Sequence, residues 1–444
     1  LTEAILDLRL DKLVYGGDCL GRLEDGRVAF IPFGLPGETV RAKVVEEKRG
    51  HLRLELLEVL SPSPERITPR CKHFFSPHPK GEGGGVKATC GGCHYQHMSY
   101  AAQLRAKEAI LRDQLARIGR IENPPIRPIV PCPQEWNYRN HIQFHLSAEE
   151  KLGYVALTPS PSLKNGRGEQ IIPITECHLL EPALADLWPR LDFEPDCGLE
   201  RVSLRLGMDD EILLILEGSD PRPPGLEVET GISVAHLSGG DAVVLAGDGQ
   251  LFMQVLDRRF RVSAGSFFQV NTSMAERMVA HLLANISLTQ KDIMLEAYCG
   301  VGLFSAFLAR HAARLIGVEN SPSACEDFTA NLDEFENVEL YEGAAEEILP
   351  ALTGQIVNQP GAGRIEYSLC MLVDPPRGGL EQGALDAILA CKPRALAYIS
   401  CDPATLGRDA ARLTGAGYNL KQVTPFDLFP QTYHIESISF FEAE

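Results

Sequence analysis

Basic residues are in short supply: the 444-residue chain carries 42 Lys and Arg against 60 Asp and Glu, a formal net charge of −18. Taken whole, that balance argues against indiscriminate adhesion to nucleic acid or anionic membranes. Long apolar runs are missing too, and no stretch approaches the roughly 20 residues needed to span a bilayer. The start, Leu1 to Leu13, mixes acidic, basic and apolar residues and lacks the uninterrupted apolar core of a signal peptide. It begins with Leu rather than Met, as a truncated or alternatively initiated chain would. There is no internal repeat and no long low-complexity tract. The 12 cysteines are scattered over a long chain, unlike a small secreted disulfide scaffold. In a soluble protein, for which the cytoplasm is the expected location, clustered cysteines point to metal binding or catalysis.

What is present is an ordinary globular composition, 44% apolar and 23% charged. The length suggests roughly two to four domains. Charge is unevenly spread: residues 1–130 carry 20 basic and 16 acidic side chains, a balance of +4, which leaves −22 for the remainder. A basic, nucleic-acid-facing front module is one reading of such asymmetry, and a near-neutral front on a soluble body is the other.

From Ala4 to Val59, short alternating runs are separated by glycine turns such as Gly16-Gly17 and Leu35-Pro36-Gly37-Glu38. About five strands in some 60 residues fit a small barrel of the OB kind, whose face often binds oligonucleotides. Arg41, Lys43, Lys48, Arg49 and Arg53 give the last hairpin a basic stripe, although any soluble hairpin carries charges. Ser61-Pro62-Ser63-Pro64 reads as a stiff linker. A cysteine-bearing segment follows, from Cys71 to His97, with a loop-like stretch at Gly81 to Gly85. Tyr100 to Ile118 has helical spacing, with Leu104, Leu111, Leu115 and Ile118 on one side. Residues 125–260 return to strand-like runs. From about Arg261 onward, apolar strands alternate with helical stretches, the pattern of a doubly wound α/β sheet.

Ile293 to Phe304 reads as strand, glycine turn and helix, the place where an open α/β sheet binds a cofactor. A second strand, Leu315 to Val318, ends in Glu319, placed to accept both ribose hydroxyls of an adenosine. A nicotinamide site would want G-x-G-x-x-G, but Gly300-x-Gly302 is followed by Ser305. Glu296 suits a methionine-derived amino group, and together these features favour S-adenosylmethionine over NAD. A third strand, Leu369 to Val373, ends in Asp374-Pro375-Pro376-Arg377, a rigid turn holding Asp374 over the crevice. Enzymes that methylate exocyclic amino groups usually place an aromatic residue where Arg377 stands, so carbon methylation is expected, with a bare proline turn as the alternative.

Leu396 to Pro403 runs from a strand into a helix starting near Ala404, so Cys401 sits at a helix N-terminus whose dipole is expected to lower its pKa. A thiolate adding to pyrimidine C6 makes C5 a carbon nucleophile, and a general base must then remove the C5 proton. Glu436, in the segment Phe426 to Glu436 that leads into a final strand at Ser437 to Phe441, is the candidate base. A structural cysteine and a surface carboxylate are the plainer alternatives.

Three motifs carry a specific resemblance: Asp374-Pro375-Pro376-Arg377-x-Gly379, Ser400-Cys401-Asp402-Pro403-Ala404-Thr405, and Asp427-x-Phe429-Pro430-Gln431-Thr432-x-His434-Ile435-Glu436. In order and spacing the chain closely resembles the RNA uracil-5-methyltransferases, and its first 60 residues look like the TRAM module of many members. RNA cytosine-5-methyltransferases, nearest in chemistry, carry a second cysteine in the proline turn that Val373 to Gly379 lacks. The resemblance implies Cys401 as nucleophile, Glu436 as base, and Gln269, Tyr298, Glu319 and Asp374 as contacts to S-adenosylmethionine. It departs from the family pattern at Leu303 and Ala344, where polar or adenine-contacting side chains are common. It implies an α/β fold in three parts: a TRAM barrel at 1–60, a β-rich central domain at 61–97 and 125–260, and a Rossmann-like catalytic domain at 98–124 and 261–444. The partner is RNA, with large-subunit ribosomal RNA ahead of transfer RNA, and the chain is expected to be a monomer with no membrane partner. The different-class alternative is a ribosome assembly factor that binds RNA without catalysis.

Cysteines in fours bind zinc or an iron–sulfur cluster. Cys90-Gly91-Gly92-Cys93 is a C-x-x-C pair with Cys71 upstream. By the resemblance these three, with a distant fourth, hold a [4Fe–4S] cluster, across a gap between Cys71 and Cys90 longer than is usual. Cys177 is the expected fourth ligand, with Cys132 and Cys197 as rivals. A radical S-adenosylmethionine cluster would need C-x3-C-x2-C, and position 86 is Val.

Overall fold

Alternation of buried and exposed side chains makes the first five strands the staves of a barrel. β1 (Ile5–Leu13), β2 (Asp18–Arg22), β3 (Val28–Pro32), β4 (Thr39–Glu47) and β5 (His51–Ser61) close in the order β1-β2-β3-β5-β4, with β4 pairing back onto β1. This computed structural model describes residues 4–74, 89–147, 149–157, 170–194, 197–225, 227, 231–357 and 368–444. The stretch Gly81 to Gly85, read as a loop, and Val86 lie outside the described residues.

The stripe expected on the last hairpin is largely neutralised. Arg41 pairs with Asp7 (2.9 Å) and Glu58 (3.4 Å), Lys48 with Glu46 (2.9 Å), and Arg53 approaches Glu46 (3.9 Å). The linker after β5 is docked, because the buried Glu38 carboxylate accepts from Ser63 N (3.1 Å) and pairs with Arg66 (2.6 Å).

The middle of the chain forms a second sheet from β6 (Thr89–Cys90), β7 (His141–Leu146), β8 (Leu152–Leu157), β9 (Ile171–Pro173), β10 (Leu199–Leu206), β11 (Ile212–Gly218), β12 (Ser233–Ser238) and β13 (Asp241–Ala246). Its order is β13-β12-β11-β10-β7-β8-β6, with β9 on β8, and the hairpin of β14 (Gln250–Val255) and β15 (Arg258–Ser263) follows.

The third sheet contains β16 (Asp292–Ala297), β17 (Arg314–Glu319), β18 (Val338–Glu342), β19 (Ser368–Val373), β20 (Ala395–Ser400), β21 (Tyr418–Phe426) and β22 (Glu436–Ala443). The order is β18-β17-β16-β19-β20-β22-β21; β16 to β20 run parallel, and β22 is antiparallel to both its neighbours. Every residue of β16 is buried, as expected of a central parallel strand covered on both faces. The chain winds outward from β16 in both directions, so the crevice beyond its C-terminal end is the topological switch point, where such sheets bind ligands.

Helix α1 (Tyr100–Arg117) begins at Ser99, whose side chain accepts from Ala102 N. Its buried face differs from the expected one: Ala102, Gln103, Lys107, Ile110, Leu111 and Leu115 are inside, whereas Ile118 is exposed. The polar members are held by the segment that leads into β22. Lys107 Nζ lies 2.5 Å from Asp427 Oδ1 and donates to Phe429 O (3.0 Å), while Gln103 and Gln431 exchange two 2.9 Å hydrogen bonds. Both members of the Lys107–Asp427 pair are fully buried. Lys107→Ala should therefore cost about 3–5 kcal/mol, since it strands a buried charge; chemical denaturation of the full chain measures it. Among the described residues, no helix is long and apolar enough to cross a membrane.

Candidate active site

A cleft of about 550 Å³ opens beyond the C-terminal ends of β16, β17, β19 and β20, within the range of small-molecule sites. Gln269, Tyr298, Glu319, Asp374, Cys401 and Glu436, the six residues singled out from sequence for cofactor and chemistry, all line it.

The glycine turn after β16 has two jobs. Gly300 (φ +53°) faces open space, whereas a Cβ on Gly302 (φ +85°) would lie 2.4 Å from Leu332 Cδ1, so Gly302 serves packing rather than ligand approach. Between them and the strand, Tyr298 holds φ at +64°, a conformation rare for an aromatic residue and costing about 1–3 kcal/mol. Glu319 is fixed by the backbone: Oε2 accepts from Gly300 N (2.9 Å), and Oε1 accepts from Asn320 N and Ser321 N (both 2.8 Å). Buried Glu296 accepts from Ser305 Oγ (2.5 Å), and burial pushes its carboxyl up to about 8. Asp374, on the proline turn after β19, is pushed up to about 7, also by burial. The cleft thus concentrates carboxyl groups whose ionised forms lack a partner cation.

The register of β20 on β22 accounts for the juxtaposition of nucleophile and base candidates. Ile399 pairs with Ile438 and Ser400 with Ser437, so Cys401 and Glu436 come next at the same end of the ladder. Helix α8 (Pro403–Gly415) starts immediately beyond, capped by Asp402, whose Oδ1 accepts from Ala404 N (2.8 Å) and Thr405 N (3.0 Å). The expected lowering of the Cys401 pKa does not hold in this cleft. Burial pushes the thiol up to about 12, reinforced by the charges of Glu436, Asp374 and Asp402, and only Arg377 opposes them. Glu436, itself buried, is raised well above the usual carboxylate range by burial and then by Asp374, with Arg377 and Lys107 pulling the other way.

Arg377 is therefore the cation that keeps both groups within reach of ionisation. Arg377→Ala should raise both pKa values further, depress activity at neutral pH, and restore part of it as pH rises. A pH–rate profile of wild type and variant checks this, with the alkaline shift as the expected sign.

The segment that leads to Glu436 supplies the aromatic wall of the cleft. His434 and Phe429 line it, with ring centroids 5.6 Å apart, and exposed Phe267 stands at its mouth. Tyr433 packs on His434 (4.4 Å) and on His94 (4.5 Å) from the cysteine-bearing segment. Burial lowers His94 to about 4 and His434 to about 3, so both rings are neutral at physiological pH. His94 and Tyr95 also donate from their backbone to Gln431 O (2.8 and 2.9 Å), tying the cysteine segment to the base-bearing loop.

Cys71, Cys90, Cys93 and Cys177 line one separate small cavity with Tyr154 and Gln96. The rivals lie elsewhere: Cys132 accepts from Asn271 Nδ2 (3.3 Å), and Cys197 is beside Glu150 (3.8 Å). His73 N and Gly92 N point at the sulfurs of Cys71 (3.4 Å) and Cys90 (3.5 Å), the kind of second-shell donor that supports a thiolate. Among the described residues, no three His, Cys, Asp or Glu side chains are grouped so as to hold a single metal ion.

Comparison with known proteins gives the arrangement its relatives. Residues 240–444 match the model of the tRNA (uracil-5-)-methyltransferase family, and residues 5–57 that of the TRAM domain. An uncharacterized RNA methyltransferase of Thermosynechococcus vestitus is 32% identical, over 98% of this chain and 97% of its own length. Another, from Aquifex aeolicus, is 33% identical over the full length of both. The fold is shared with the crystal structure of Pyrococcus abyssi tRNA (uracil-54, C5)-methyltransferase in complex with S-adenosyl-L-homocysteine. That likeness has a TM-score of 0.68 at 20% identity and covers 98% of this chain and all of the other. With its barrel, its doubly wound sheet and full-length relatives above 30% identity, the chain belongs to the TRAM-containing RNA (uracil-5-)-methyltransferases, enzymes that depend on S-adenosylmethionine.

Proposed function

We propose that the protein methylates C5 of one uridine in RNA, large-subunit ribosomal RNA by preference, with transfer RNA as the alternative substrate. The observation that carries this reading is the placement of Cys401 and Glu436 side by side at the strand ends, on a cleft that also holds Asp374, Glu319 and Tyr298. When bound, S-adenosylmethionine supplies an electrophilic methyl group and a sulfonium charge that offsets the surrounding carboxylates. Glu319 accepts ribose hydroxyls, and Gln269, Tyr298 and Asp374 hold the rest of the cofactor against the switch point. Cys401 gives up its proton to water and adds to uracil C6, which moves the ring's electron pair towards C5 and O4. That pair would take the methyl carbon at C5 as the methyl–sulfonium bond breaks, the bonding electrons staying on sulfur as a neutral thioether. Glu436 then takes the C5 proton, the C5–C6 double bond re-forms, and Cys401 leaves. The raised pKa of Glu436 makes it a stronger base than an exposed carboxylate once it is ionised.

The cavity shared by Cys71, Cys90, Cys93 and Cys177 supports a [4Fe–4S] cluster held by those four. Cys71, Cys90, Cys93 and Cys177 would hold the group as thiolates, and burial raises all four thiols, so a cationic group would offset their charge. The cluster's part is to knit segments 71–74, 89–97 and 177–179 together beside the base-bearing loop. Anaerobic purification followed by iron and sulfide analysis tests it, and stoichiometric zinc counts against it.

The reading as a whole is tested by incubating the protein and S-adenosylmethionine with ribosomal and transfer RNA carrying 5-fluorouridine, whose C5 fluorine blocks the final elimination. A covalent protein–RNA adduct on ribosomal RNA is expected. Adduct on transfer RNA alone reassigns the substrate, and no adduct on either RNA removes the proposed chemistry.

A further inference from the structure

The barrel is usually thought of as an anchor for RNA, yet its first turn reaches the chemistry. The turn between β1 and β2 carries Tyr15, whose ring meets that of Tyr433 edge-on with centroids 5.5 Å apart. Two residues on, Gly17 has φ +96°, and a Cβ there would lie 3.4 Å from His94 Cβ and 3.5 Å from Tyr433 Cδ1, so the turn lies alongside the aromatic wall. The Tyr15 hydroxyl faces the carboxylate of Asp402, the residue that follows Cys401 and caps α8, closely enough for that charge to help hold the phenol protonated. Asp402 Oδ1 is already occupied by two backbone N–H groups of the helix. One tyrosine, more than 380 residues away in sequence from the nucleophile, thereby packs on the loop leading to Glu436 and faces the one bearing Cys401.

We infer that Tyr15 is a positioning residue of the active site, through which the seated barrel fixes the Cys401 loop against the Glu436 loop. The inference rests on the proposed chemistry and deepens it, because it makes the barrel part of the reaction centre rather than a remote handle. Burial and the Asp402 carboxylate both keep the phenol protonated, so it remains a hydrogen-bond donor throughout the working pH range. Removing the ring frees two loops to drift. A displacement of about 1 Å between reacting groups costs on the order of 100-fold in rate.

The test compares full-length wild type, Tyr15→Phe and Tyr15→Ala at saturating RNA, reading kcat for methyl transfer, KM for RNA, and the rate of adduct formation with 5-fluorouridine RNA. Tyr15→Phe keeps the edge contact and loses the hydroxyl that faces Asp402, so kcat should fall about 3–10-fold. Tyr15→Ala should fall roughly 30–100-fold, with adduct formation slowed in parallel. KM for RNA should stay within about threefold, a split that a mere RNA contact or a general loss of fold does not produce. Wild-type kcat in both variants, or a loss confined to KM, overturns the inference; should the alanine variant fail to fold, Tyr15→Phe alone decides. If wild type itself forms no adduct, the underlying chemistry has failed, an outcome distinct from wild-type adduct with indifferent Tyr15 variants.

Discussion

Under the proposed mechanism, Cys401→Ala is expected to lose methyl transfer by at least about 10⁴-fold, because activation of C5 loses its nucleophile. The loss should be chemical rather than structural. The turn around Cys401 is built by other atoms: Asp402 N donates to Ser400 Oγ (3.2 Å), and the Asp402 side chain caps α8. The sulfur is half-buried at the cleft wall, so its removal leaves no large void. Melting temperature and cofactor affinity should therefore stay near wild type while adduct formation with 5-fluorouridine RNA disappears. Transfer from labelled S-adenosylmethionine and a denaturing gel read the two effects separately. Cys299 also lines the cleft, but burial and the charges of Glu296 and Glu319 push its thiol far up. Activity within tenfold of wild type in Cys401→Ala would reassign the nucleophile.

What could be read from sequence and what could not divides along a physical line. The glycine turn after β16, the proline turn at Asp374 and the Ser400–Thr405 segment are local devices, each written in consecutive residues that dictate their own backbone. Strand-end placement then followed from the doubly wound pattern, and all six residues named for cofactor and chemistry share one cleft. Effects that depend on partners brought by folding were invisible. Lys107 is one of the basic residues of the helix, yet it is buried, as is Gln103, because Asp427 and Gln431, more than 300 residues later, satisfy them. The barrel's basic stripe looked free because its carboxylate partners sit on neighbouring strands. Tyr15, beside the Gly16-Gly17 turn, stands out in no motif because nothing in a single strand–turn–strand segment announces Asp402. The Cys401 pKa shows the same division most sharply. The helix that was expected to lower it is adjacent in sequence, while the carboxylates that raise it arrive from β19 and β22. Burial disfavours the ionised forms of Asp374, Glu296 and Glu436, and such a cluster of carboxyls suits a cationic cofactor.

Glu436→Gln should separate the two halves of the reaction. Glutamine keeps the size of the side chain and removes its ability to take a proton, so Cys401 addition and bond formation at C5 proceed while elimination stalls. The expected product is a covalent protein–RNA complex on ordinary uridine, already methylated at C5, with turnover reduced by about 10²–10⁴-fold. In wild type the same complex should be too short-lived to see. The substitution also removes one of the charges that raise the Cys401 thiol, so nucleophilic addition should become no slower and, at neutral pH, somewhat faster. Stability should change little in the destabilising sense, since the carboxyl is buried with a pKa far above its ordinary value and an amide spares the fold the cost of ionising it. A denaturing gel with labelled methyl groups and unmodified RNA reads both predictions together. Label retained at the protein–RNA band places Glu436 after methyl transfer. Absence of any adduct would place its action earlier, as the acceptor of the Cys401 proton, and an unlabelled adduct would place it between addition and methyl transfer; either outcome overturns the role given to Glu436 above.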